Sequence, residues 1–75
     1  MIKRLSEFVI GEKGIIEKFE KDEIYLKLME MGCVPGEAVS VENIAPLGDP
    51  ISIKVAGYLL SMRKDEAAMI WVKTI

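Results

Sequence analysis

A chain of 75 residues is long enough for one small domain, and its 51% hydrophobic residues supply the dense core that such a domain needs. The net charge is −2, with ten Lys and Arg scattered among twelve Asp and Glu, which argues against binding to nucleic-acid phosphates. One cysteine excludes an internal disulfide, and no apolar run is long enough for a membrane span or a signal peptide. We therefore expect one cytoplasmic domain over residues 1–75.

Five short segments have the alternation or the β-branched composition that is typical of β-strands. They are residues 14–19, 37–42, 51–55, 58–62 and 69–73. Only a short turn at Gly57 separates the third from the fourth, so we expect these two strands to form a hairpin. An open sheet of this size would leave its edges exposed, and closure removes them. We predict a mostly β fold, a small SH3-like barrel of about five strands with a short helix inserted between the first two.

One segment, Asp22–Met31, has the pattern of a helix. Acidic residues at its start suit the positive end of the helix dipole, and Gly32 stands where a left-handed residue would end it. Pro35-Gly36 has the order that a type II turn requires, and residues 65–68 predict one further helical turn.

The apolar residues of this helix cover more of its circumference than contact with one sheet requires. At the helical period, one stripe consists of Ile24, Leu28 and Met31. A second stripe beside it consists of Tyr25 and Met29, and Leu26 lies further round the helix. The surplus is either a docking site or part of the domain's own core, and the sequence does not decide between them.

The residue types argue against catalysis and against a dedicated metal site. The chain has no His, so the commonest general base and metal ligand is missing, and Cys33 has no His to activate it. Cys33 is better interpreted as a small buried apolar residue. The acidic pairs at residues 22–23 and 65–66 are simply explained as helix starts facing water. Trp71, on the strand face opposite its two apolar neighbours, either covers one end of the barrel or anchors a partner.

Four pieces of the chain, in this order and spacing, are similar to the motifs of one family. They are the helix exit (Leu28, Met31, Gly32, Pro35 and Gly36), the loop Ala45–Pro50, the strand with Gly57, Met62 and Arg63, and the closing Ala67, Ile70 and Val72. Together they resemble the FeoA family, the small cytosolic accessory proteins of bacterial and archaeal ferrous iron transport. The fold that this resemblance implies, an SH3-like barrel, agrees with the strand pattern.

The resemblance implies a partner, the membrane ferrous iron transporter FeoB, which has a cytosolic GTP-binding domain. We expect the protein to bind FeoB, to modulate its transport or GTPase activity, and to meet the membrane only through it. The candidate docking residues are the apolar helix residues Tyr25, Leu26, Leu28 and Met29. Arg63, at a motif position, is either a residue that stimulates GTP hydrolysis or the donor of a structural hydrogen bond.

Three alternatives stay open at this point. The protein could carry or sense ferrous iron, against which the absence of His argues. It could be a generic SH3-like module for Pro-rich peptides, although its few aromatic residues are dispersed. The apolar helix could also pair with a copy of itself.

Overall fold

Six antiparallel strands form one sheet in the computed structural model, which describes residues 1–75. The elements in chain order are β1 (Ile2–Arg4), a 3₁₀ turn (Leu5–Glu7), β2 (Lys13–Phe19), α1 (Asp22–Glu30), β3 (Ala38–Ile44), β4 (Ile51–Val55), β5 (Tyr58–Met62), α2 (Lys64–Ala67) and β6 (Ile70–Thr74). The strand order across the sheet is β1-β6-β2-β3-β4-β5, so each strand except the two at the edges has two neighbours.

The predicted mostly β fold with a short helix is confirmed, but the sheet differs from the prediction in two details. The sheet has six strands, because β1 forms by pairing with β6 at the other end of the chain. The predicted closure into a barrel is not observed, since β1 and β5 are both free edges. The register shifts between Ile16 and Lys18 in β2 and between Val41 and Asn43 in β3. Shifts of this kind are typical of β-bulges, which bend a strand and increase its twist.

The bounds of the two helices agree with those predicted from the sequence to within one residue at each end. α1 ends at Glu30, one residue before the predicted end, and α2 covers residues 64–67 where 65–68 was expected. Gly32 has the predicted left-handed φ of 93°. Gly36 has a φ of 95°, and the Glu37 N–H donates to the Val34 carbonyl at 3.0 Å, which closes the predicted turn.

The core is made by alternate residues of the strands, to which the helices and connections add side chains. Its 14 buried residues are Leu5, Phe8, Ile16, Leu28, Cys33, Val39, Val41, Ile51, Ile53, Val55, Met62, Ala67, Ile70 and Val72. The buried position of Cys33 confirms its interpretation as a core residue. Neither helix has the length and apolar character needed to cross a bilayer.

Candidate partner-binding surface

One face of α1 is committed to the core. Leu28 has no exposed surface and belongs to the core cluster. Ile24, four residues before it, and Met31, three residues after it, are half-buried and pack against the same cluster. Residues at these spacings share one side of a helix, so the first of the two predicted stripes is the core stripe. The candidate docking residue Leu28 was therefore wrong, because a side chain without exposed surface is not available to a partner.

The other three candidates lie beside this stripe and further round α1, on a surface that we call the α1 outer face and define as Tyr25, Leu26 and Met29. Leu26 is 68% exposed, Tyr25 is exposed and Met29 is half-buried. The Tyr25 ring meets the Phe19 ring edge to face, with centroids 5.2 Å apart and planes at 80°. This contact holds the tyrosine in place while leaving part of its surface open to solvent.

Charged residues surround the α1 outer face. Asp22, Glu23 and Glu30 are exposed on the same helix, and Lys27 forms an ion pair with Glu66 of α2, with a distance of 2.6 Å between Nζ and Oε2. The hydrogen bond from Lys27, together with a second from the backbone N–H of Arg63, lowers the pKa of Glu66. An apolar centre with a charged rim is the arrangement found in protein–protein interfaces.

Arg63 lies at the start of α2 with its guanidinium free. Its backbone N–H donates to Glu66 Oε1 at 2.9 Å, but its side chain is exposed and takes part in none of the three ion pairs of the structure. Because Glu66 also pairs with Lys27, this end of α2 is linked directly to α1. Beside Arg63 is a small depression formed with Asp49 and Pro50.

The second arginine, Arg4, is occupied by structural contacts that the sequence did not reveal. Its Nη1 donates to the Ala68 carbonyl at 2.6 Å and forms an ion pair with Glu20 at 3.3 Å, and the guanidinium lies 4.3 Å from the centre of the Trp71 ring. Trp71 in turn donates from its indole nitrogen to the Glu20 carboxylate, and this bond is the main reason why the pKa of Glu20 is lowered.

These contacts give Trp71 a structural role. The ring lies half-buried on the face opposite the buried Ile70 and Val72, as the alternation predicted. It covers the junction of β6 with β1 instead of projecting toward solvent. No sequence signal joins Arg4, Glu20 and Trp71, because they come from three distant parts of the chain.

The remaining polar residues do not assemble a cluster of metal ligands. The Asp, Glu and Cys side chains form no group of three that could hold a metal ion. Burial raises the pKa of the Cys33 thiol to about 11, which keeps it protonated. A surface cavity of about 390 Å³ lies between β2, β3 and β4, where Lys13, Glu37 and Lys54 are among its lining residues.

Comparison with known proteins gives the family. The family model of the FeoA domain matches residues 3–74. The chain belongs to the FeoA family. Over 73 residues it is 37% identical to a fusion of Fe(2+) transport protein A with the Fe(2+) transporter FeoB from Porphyromonas gingivalis, covering 96% of the chain and 9% of that relative. The FeoA chain thus spans less than a tenth of the length of this curated relative.

Solved structures of FeoA proteins agree with the fold. An iron uptake regulatory protein, FeoA, superposes with a TM-score of 0.89 at 32% identity, covering 100% of this chain and 99% of that one. FeoA of Stenotrophomonas maltophilia, solved with zinc and described as an SH3 domain protein, gives 0.79 at 28% identity, covering 93% and 88%. The SH3-like fold and the association with ferrous iron transport that the sequence predicted are therefore confirmed at the level of the family.

Proposed function

We propose that this FeoA protein binds the FeoB transporter through the α1 outer face and thereby modulates ferrous iron transport or the GTPase activity of FeoB. The observation that carries the proposal is the Porphyromonas gingivalis relative, in which the two proteins form one polypeptide. Fusion keeps two partners at a high effective concentration, which is useful only where they act together.

The properties of the α1 outer face support its use as the contact. Leu26 exposes two thirds of its side chain to water and fills no position in the core, so its burial against a partner is a net gain. The contact with Phe19 restricts the Tyr25 ring before binding, which reduces the entropy that binding costs. Met29 is unbranched and adapts to the shape of an opposing surface.

The test is binding to full-length FeoB in detergent or nanodiscs, with and without guanine nucleotide. Leu26→Glu places a charge at the most exposed residue of the α1 outer face and should abolish binding without unfolding the domain. Leu47→Glu is the matched control, since Leu47 is 97% exposed in the β3–β4 loop. Equal binding by both variants would exclude the α1 outer face, and no binding by the unmodified protein in any nucleotide state would exclude the proposal itself.

If the protein modulates FeoB by stimulating GTP hydrolysis, the candidate residue is Arg63. An arginine that reaches a GTPase site lowers the barrier by stabilising charge on the transferred phosphoryl group. Arg63→Ala should remove the stimulation while FeoB binding stays intact, and Arg63→Lys should restore little of it, because lysine lacks the planar fork of donors. GTPase rates that do not change on adding the unmodified protein would exclude this role.

Two of the other roles raised by the sequence are each tested by one further measurement. Tight, stoichiometric binding of ferrous iron in an anaerobic titration would favour an iron carrier over a transporter accessory. Self-association that Leu26→Glu abolishes would mean that the α1 outer face pairs with a copy of itself.

A further inference from the structure

The two free edges of the sheet differ in how they are protected. β1 has three residues, and its Lys3 and Arg4 place charge at that edge. β5 has five residues, contains neither a charge nor a proline, and exposes 71% of Leu59. Natural sheets protect an edge with short strands, charges or prolines, because an uncharged edge is a template for pairing with another strand. The β5 edge has none of these protections.

The hairpin between β4 and β5 fixes which backbone groups of β5 are free. Ala56 and Gly57 form a two-residue turn with φ of 51° and 82°, so Val55 and Tyr58 are a hydrogen-bonded pair. In an antiparallel ladder the hydrogen-bonded pairs alternate, and the residues between them point their N–H and C=O groups outward. Those residues in β5 are Leu59 and Ser61. No hydrogen bond from a loop or turn reaches either backbone.

We infer that β5 is a self-pairing edge, on which β5 of a second copy of this chain binds antiparallel about a two-fold axis at Leu60. In this register Leu60 lies opposite Leu60 of the second copy, and Leu59 lies opposite Ser61 of the second copy. Every free N–H and C=O of Leu59 and Ser61 then has a partner, because the two residues exchange both of their hydrogen bonds. The two six-stranded sheets become one continuous sheet.

The strand is complementary to itself, which selects a second copy over an unrelated segment. The pairing brings together no like charges within β5, since the strand has none. Arg63, which follows the strand, falls opposite the uncharged Gly57 of the second copy. Leu60, half-buried in the monomer, is covered by its equivalent.

This inference is independent of FeoB binding. α1 packs against β2, and β5 is three strands away from β2 in the sheet. A dimer formed through β5 leaves the α1 outer face of each copy open, so the protein can present two of these faces at once. Failure of either proposal therefore leaves the other standing.

The experiment measures mass in solution by light scattering and analytical ultracentrifugation as the protein concentration rises to about 1 mM, because a single strand pair is a small interface. We expect the apparent mass to rise from 8.4 kDa toward twice that value. Ser61→Pro removes one outward N–H from each copy while leaving the β4 ladder intact, and should weaken the dimer by about 30-fold. Ser61→Ala keeps the N–H and should dimerise like the unmodified protein.

Amide hydrogen exchange on the unmodified protein decides the matter even if Ser61→Pro fails to fold. The amides of Leu59 and Ser61 should become protected as concentration rises, while the Leu60 amide, bonded to β4, stays protected throughout. A protein that is monomeric at every concentration would overturn the inference, as would a dimer that Ser61→Pro leaves unchanged. Protection of Leu59 and Ser61 only when FeoB is added would also overturn it, in favour of a strand from the transporter.

Discussion

Two leucines of α1 provide a sharp test of how the helix divides its apolar residues between core and surface. Leu28→Ala and Leu26→Ala remove the same atoms from positions two residues apart. Leu28 has no exposed surface, whereas Leu26 is 68% exposed. We expect the first substitution to lower the stability of the domain strongly and the second to leave it almost unchanged.

The magnitudes follow from burial. Truncation of a buried leucine to alanine costs about 2–5 kcal/mol, which includes the cavity left behind. A domain of 75 residues has a free energy of unfolding of about 4–11 kcal/mol, so Leu28→Ala removes a large part of it. An exposed substitution such as Leu26→Ala changes the stability by no more than about 0.5 kcal/mol.

Urea unfolding followed by circular dichroism measures this difference. The urea midpoint of Leu28→Ala should fall by about 1 M or more at an unchanged slope, while Leu26→Ala should have the same midpoint as the unmodified protein. Leu47→Ala, at a fully exposed loop position, is the control for a harmless truncation. A loss below about 1 kcal/mol for Leu28→Ala, or an equal loss for Leu26→Ala, would refute the assignment of the two helix faces.

Three further predictions concern the scaffold. A Cβ at Gly14 would lie 2.6 Å from the backbone oxygen of Lys73 in β6, so Gly14→Ala should lower the free energy of unfolding by about 1–3 kcal/mol or more, as an overpacked core change does. An unchanged urea midpoint would contradict the close approach. Because Cys33 is buried and its pKa is raised, we expect thiol reagents to label it at pH 8 only when the protein unfolds. Fast labelling of the native protein would show that the Cys33 thiol is exposed. Lys27 lowers the pKa of Glu66 from 4.5, so the stability that the Glu66 carboxylate contributes is present above pH 4.5 and is lost as the pH falls through the folded pKa. The difference in stability between the unmodified protein and Glu66→Gln should therefore shrink below about pH 4.5. A difference that does not depend on pH would exclude the ion pair as its cause.

Local patterns predicted most of the fold, because most of its elements have local causes. The alternation in residues 51–55, the turn at Pro35-Gly36 and the stop at Gly32 all act over a few residues, and each was found in place. β1 was missed because its three residues have no pattern of their own and become a strand only beside β6. The predicted closure into a barrel is not confirmed, because closure depends on pairing between the two edge strands, which sequence alternation does not describe.

The candidate surface was predicted only in part, for a related reason. The apolar arc of α1 is wider than one stripe, so its sequence does not say which stripe faces the core. Packing against β2 decides this, and it takes Leu28 into the core while leaving Leu26 outside. The contacts that occupy Arg4, and so leave Arg63 as the free arginine, depend on residues that meet only in the folded chain.

The measurement that tests the proposed function most directly is the affinity of FeoB for the unmodified protein, Leu26→Glu and Leu47→Glu under identical nucleotide conditions. We expect Leu26→Glu to bind at least about 30-fold more weakly, as for a contact residue worth about 2 kcal/mol, and Leu47→Glu to bind like the unmodified protein. The same affinity for all three proteins would contradict docking through α1.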